Sequence, residues 1–109
     1  MQPRIAAETP IELLRRDAFL PHEGENFQVL RGDEWVTVKL ESVFALDGHL
    51  DVEREKFSLL FTAGLEKTLQ QGMHDFEHPE MGIFNLFFTP VISRDPAVRC
   101  YEAIINREF

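Results

Sequence analysis

Glu34-Trp35-Val36-Thr37-Val38-Lys39-Leu40-Glu41-Ser42-Val43-Phe44-Ala45-Leu46 is the stretch on which the fold turns. Val36, Val38, Leu40, Phe44 and Leu46 share one parity, and Thr37, Lys39 and Glu41 the other. A period of two places these sets on opposite faces of an extended chain, so a half-buried strand is expected over 34–46. Ser42 interrupts the apolar set and marks either a bulge or a polar lining.

Upstream, Phe27 and Val29 alternate with polar neighbours, which predicts a strand over 26–31, and Arg31-Gly32-Asp33-Glu34 supplies the turn between the two. Further upstream, Thr9-Pro10-Ile11-Glu12 has the form of a capping box with proline in the first turn. A short helix is therefore expected over about 10–16, with Phe19, Leu20 and Pro21 closing it against the body. Downstream, Asp47-Gly48-His49 ends the long strand, and the charged run 51–56 reads as a solvated connection. Phe57, Leu59 and Phe61 then alternate in a strand over 56–62. Residues 64–72 read as a long loop or a single helical turn. His78-Pro79-Glu80-Met81-Gly82 is turn chemistry joining strands 73–78 and 82–91 in a hairpin. Ile83 to Thr89 is apolar on both faces, as in a central strand or one inside a closed barrel, and Pro90 stands near its end. After Ser93-Arg94-Asp95-Pro96, a last strand runs over 98–106.

The expected fold class is mainly β: a six-stranded, mostly antiparallel barrel or sandwich with a short N-terminal helix, in one domain spanning 1–109. Its expected core is Val38, Leu40, Phe44, Phe57, Leu59, Phe61, Phe84, Leu86, Phe88, Tyr101 and Ala103.

Composition narrows the function. The 109 residues suffice for one domain, and 44% hydrophobic content with 11% aromatic content marks a globular chain. Eleven Lys and Arg against 19 Asp and Glu leave a net charge of −8, which opposes a nucleic-acid partner. A single Cys excludes an internal disulfide framework and suits a reducing, cytoplasmic setting. No apolar run approaches the roughly 18 residues of a membrane helix, and Met1-Gln2-Pro3-Arg4 is not followed by the apolar region of a secretory signal.

The motifs that carry chemistry are sparse. His74-Asp75-Phe76-Glu77-His78 tempts as a metal site, but in a strand the two histidine α-carbons lie about 13 Å apart, at about 3.3 Å per residue. A polar edge strand facing water is the expectation there. Ser42, Ser58 and Ser93 sit in no nucleophile elbow, and Cys100 beside Arg99 reads as a small apolar strand residue. There is no phosphate-cradling glycine loop. Most of the ten Phe residues fall at period two and are read as core. Trp35 differs, because it lies opposite Val36, Val38 and Leu40, where an aromatic suits either an interface or a cap on one end of the barrel.

The second half resembles a small bacterial family of uncharacterised β-rich proteins, a domain of unknown function. The likeness is carried by Phe57-Ser58-Leu59-Leu60-Phe61, Gln71-Gly72, the strand Met81-Gly82-Ile83-Phe84-Asn85-Leu86-Phe87-Phe88-Thr89-Pro90 and the closing Tyr101-Glu102-Ala103-Ile104-Ile105-Asn106. It covers residues 55–107. His74 departs from an expected aromatic hydroxyl, and Ile105 from an expected Phe. Members are often encoded near phage-tail-collar-like proteins, so the resemblance implies an accessory or assembly role, with a phage-tail-like structural protein as the kind of partner. It brings no catalytic residue and no cofactor.

The expected function is therefore that of a non-catalytic interaction or accessory protein: a small acidic β-domain that docks on a protein partner or self-associates. The expected contact surface is Trp35 with Thr37, Lys39 and Glu41, without metal, cofactor, nucleic acid or membrane. The alternative is a partly open barrel that binds, or acts on, a small molecule in its interior.

Overall fold

The computed structural model describes residues 9–46 and 54–108. Six strands form in chain order: β1 (Asn26–Arg31), β2 (Glu34–Ala45), β3 (Arg54–Ala63), β4 (Gly72–His78), β5 (Gly82–Val91) and β6 (Arg99–Glu108). They close into a barrel in the order β1-β2-β3-β6-β5-β4, with every neighbouring pair antiparallel. Closure settles barrel against sandwich. β1 and β2 meet through the two-residue turn Gly32-Asp33, and Gly32 takes a φ of 62°, open to glycine at little cost.

The strand boundaries follow the alternation closely. One departure is that β3 begins at Arg54, so Arg54 and Glu55 are strand and not connection. Positions 51–53 and the expected strand end at 47–49 lie outside the described residues.

The expected core is buried with one exception. The β2–β3 register shifts between Leu40 and Ser42, so β2 carries one extra residue there. A bulge exchanges the faces beyond it. Val43 consequently takes the inward place, whereas Phe44 is exposed on the outside. Ser42 marks that bulge.

The lumen is filled with aromatic rings. Phe61 packs against Phe27, Phe76 and Phe88 at centroid distances of 5.6, 5.5 and 5.6 Å. Phe84 stacks on Phe76 at 5.6 Å, and Phe88 stacks on Tyr101 at 4.8 Å. Edge-to-face and offset contacts of this kind add to simple area burial.

Both barrel ends are plugged. The N-terminal segment differs from the expected helix over 10–16: a 3-10 turn at Ile11–Leu13 precedes a short helix, α1 (Arg16–Phe19), and a second 3-10 turn at Leu20–His22. Thr9 does not cap a helix, because its amide donates to the Ile83 carbonyl and its hydroxyl to the Met81 carbonyl. Anchored to the β4–β5 hairpin in this way, the chain enters the helix only at Arg16, whose amide donates to Glu55. The segment then inserts Leu14 and Phe19 into the core, with Phe19 5.7 Å from Phe84 and 6.0 Å from Phe57. At the other end, residues 64–71 cross the lumen as a loop. The buried Leu69 seals it, and its amide donates to the Tyr101 hydroxyl at 3.1 Å.

Two substitutions test this packing. Phe84→Ala removes a ring that touches Phe19, Phe27 and Phe76. It is expected to cost about 3–5 kcal/mol in urea unfolding. Tyr101→Phe keeps the ring but orphans the buried Leu69 amide, with an expected loss of about 1–3 kcal/mol in the same measurement. An unchanged midpoint in either variant contradicts the described packing.

Candidate functional site

Three titratable side chains meet at the end of the barrel that the N-terminal segment closes. The second 3-10 turn ends on His22, the chain reaches Glu25 one residue before β1, and β4 ends on His78. Glu25 Oε1 lies 2.9 Å from His22 Nδ1 and 2.8 Å from His78 Nε2, so one carboxylate oxygen joins two imidazoles. The rings sit 4.4 Å apart, with His78 also against Phe27 at 4.6 Å. His22 is 8% exposed and His78 3%, while the Glu25 side chain reaches solvent.

Backbone geometry assigns the protons. His78 Nδ1 accepts from the amides of Glu80 and Met81 at 3.1 and 3.3 Å, as the β4–β5 turn folds over the ring. The proton of the neutral ring therefore sits on Nε2 and is donated to Glu25. His22 Nδ1 donates to the same oxygen, which in the neutral ring leaves the lone pair of His22 on Nε2. The hydrogen bond from His22, then that from His78, holds the Glu25 carboxyl below the ordinary glutamate range, against the opposing effect of burial.

His22, Glu25 and His78 offer ligand atoms within 4.8 Å of one another, close enough to consider a metal. The proton assignment argues against one at this centre. A metal-bound histidine donates its other ring nitrogen to an acceptor. Here Nδ1 of His78 accepts from two amides, so binding a metal through Nε2 would move the proton to face two N–H donors. The cluster is better described as a carboxylate clamp that ties the N-terminal segment to β4.

The free side of His22 faces a cleft of about 500 Å³ lined by Thr9, Pro10, Leu13, Leu14, Ala18, His22, Glu80 and Met81. Thr9 has the only hydroxyl in that lining, and it is committed to the Met81 carbonyl. The cleft therefore holds a base but no nucleophile for it to activate.

The histidines of β4 do not fit the expected water-facing edge. β4 pairs with β1 on one side and β5 on the other, His78 is buried, and His74 is half-buried. The His74 ring lies between the Leu30 carbonyl at 3.0 Å and the Gln70 carbonyl at 2.7 Å, at the barrel end opposite Glu25. The two histidines thus serve different ends and share no partner. His22 and Glu25 carried only a weak signal in sequence, a His-x-x-Glu spacing after Pro21, and their meeting with His78 depends on the β1–β4 seam.

The expected contact residues all lie on the outer face of β2. Thr37 donates to Gln28 at 3.1 Å, Lys39 pairs with Glu41 at 3.3 Å, and Glu41 accepts from Thr62 at 3.1 Å. Trp35 keeps much of its ring in solvent. β2 is not an edge strand, since β1 pairs with it over 34–39 and β3 over 39–45. The side of β2 away from β1 near Trp35 borders a cleft of about 230 Å³ lined also by Ala63, Gly64, Glu66 and Lys67, and Lys67 forms an ion pair with Glu34.

A closed, ring-filled six-stranded barrel with a histidine–carboxylate clamp at one end defines a small all-β domain. The chain belongs to the family described as Domain of unknown function (DUF6916), which matches residues 14–105, from Leu14 of the N-terminal plug through most of β6. No curated protein and no solved structure matches the chain.

The clamp makes a pH-dependent contribution. A carboxyl with a depressed folded-state pKa adds stability above its unfolded pKa and loses it as pH falls through the folded value. The stability gap between wild type and Glu25→Gln is therefore expected to be largest near neutral pH. It should shrink as pH drops below about 4.5, the ordinary glutamate value. Urea midpoints taken from pH 7 down to pH 3 measure it, and a constant gap would remove the charge of Glu25 from the account.

Proposed function

We propose that this domain is a non-catalytic interaction or accessory module that docks through the outer wall of its barrel on a protein partner with a basic surface. The observation that carries this is an exposed apolar row on that wall. Met73 of β4 pairs with Phe87 of β5, and their exposures are 61% and 47%. On β6, Ile104 is 50% exposed and pairs with Ser58 of β3, which in turn pairs with Phe44 of β2, 41% exposed. Phe87 and Ile104 each stand two residues beyond Thr89 and Glu102, which face each other across the β5–β6 seam. Ser58, polar but fully buried, donates to Glu102 at 2.6 Å between the flanking Phe44 and Ile104.

Apolar side chains set this close together in four strands on a solvent face suit a docking surface. Trp35 and its cleft add a second apolar contact farther along β2. Among the described residues, the rings that point into the lumen are fully buried. This favours docking over the interior-binding alternative.

Charge chooses the partner. Two copies at −8 each repel, whereas a Lys- and Arg-rimmed surface is attracted and steered. The family resemblance adds a structural component of a phage-tail-like assembly in a bacterial cytoplasm as the kind of partner that fits. Among the described residues, no helix is long and apolar enough to cross a membrane.

Capture from native extract, quantified for wild type, Phe87→Asp and Trp35→Ala, provides the test. Phe87→Asp is expected to lower recovery of a specific partner at least about tenfold, the effect of losing a buried interface anchor, with no loss of thermal stability. Trp35→Ala should lower it less. Identical recovery by all three proteins, or turnover of a small substrate by the purified domain, overturns the proposal.

A further inference from the structure

We propose that the cleft beside the His22–Glu25–His78 clamp is a pocket for a lysine side chain of the protein partner, a step that rests on the docking function above. His22 is nine-tenths buried, and its Nδ1 proton is already given to Glu25. In the neutral ring its Nε2 thus presents a lone pair, and among the described residues it has no hydrogen bond. Glu80 Oε2 lies 3.9 Å away, beyond hydrogen-bond reach and itself an acceptor. Two acceptors that close, one of them largely withdrawn from water, call for a single group with several N–H donors about 3 Å from each.

The charge and shape of the cleft select among such groups. Carboxylates stand on both sides of the imidazole, Glu25 behind it and Glu80 at the mouth, so a cation is favoured over a neutral amide. Arg15 and Arg16 belong to the same segment but do not line the cleft. The remaining walls are apolar: Pro10, Leu13, Leu14, Ala18 and Met81 around about 500 Å³. An alkyl stem lies against such walls while its ammonium stays near water, as lysine side chains do at apolar surfaces. Guanidinium fits less well, because its planar fork matches the two oxygens of one carboxylate and here meets a ring nitrogen and an oxygen.

The clamp prepares the pocket. Glu25 holds the Nδ1 proton of His22, so in the neutral ring Nε2 is an acceptor before any ligand arrives. Glu25 is thus a positioning residue that acts through His22, and Glu80 and His22 are the contact residues.

The experiment follows imidazole nitrogen resonances in the full chain during titration with acetyl-Gly-Lys-Gly-amide, n-butylammonium and n-butanol. The lysine peptide and butylammonium should both shift His22 Nε2 saturably, with butanol leaving it unmoved. Glu80→Gln, a change at an exposed position, should weaken both by about two- to fivefold, the worth of an exposed ion pair. Phe87→Asp should leave the titration unchanged, which separates this pocket from the outer wall. No saturable shift with either ammonium, or an equal shift with butanol, overturns the proposal. Binding of butylammonium without the peptide would make the cleft a free-amine site and overturn its assignment to a protein lysine. The wall proposal stands or falls on partner capture alone, so the two can fail independently.

Discussion

Closing a six-stranded sheet on itself fixes the volume inside, and every other feature of this chain follows from having to fill it. Phe19, Phe27, Phe57, Phe61, Phe76, Phe84, Phe88 and Tyr101 share that space with aliphatic side chains between them. Interiors pack to crystal-like density, so each ring constrains the rotamers of its neighbours, and the inward polar groups of Tyr101 and His78 find hydrogen-bond partners at the barrel ends. Function is therefore pushed outward, onto the wall and the two ends.

The ends exist because the strands are staggered. β1 meets β4 through Gln28–Glu77 and Val29–Phe76, and β5 meets β6 only over 89–91 with 100–102. Beyond those short seams the strands give way to other parts of the chain. The N-terminal segment packs over one end through Leu14 and Phe19, and the loop 64–71 covers the other through Leu69. Backbone groups left by the stagger are taken up locally. The Gly24 amide donates to the Leu40 carbonyl, the Leu40 amide donates to the Glu25 carbonyl, and the Val43 amide donates to Glu23 at 2.8 Å. The clamp belongs to this same accommodation, since the turn that buries His78 also points two amides at its ring.

Much of the barrel was legible because a period-two pattern with turn residues between runs has one structural meaning. The register of 34–40, the hairpin around Gly82 and the inward set of β3, β5 and β6 all follow from it. Phe44 was misplaced because a bulge is a single-residue event, and Ser42 announced an interruption without saying whether the face would resume or flip. The early helix failed for another reason: Thr9 is a good cap in isolation, but the Met81 and Ile83 carbonyls compete for its hydroxyl and amide, and such a contact is tertiary. The clamp was the least visible element. His22, Glu25 and His78 come together only when β1 and β4, more than forty residues apart, lie side by side. No local spacing encodes that.

Pro90 stands in one of the two short seams, opposite Tyr101. It brings no amide hydrogen to a junction three residue pairs long, which makes a short seam weaker still. If thermal motion parts β5 from β6, two raw strand margins face the solution, the usual template for chain-to-chain β-stacking. The imino acid blunts one of those margins, because a visiting strand finds a gap in its donor ladder at that residue. The residue that weakens the closure thus also discourages polymerisation of whatever opens there.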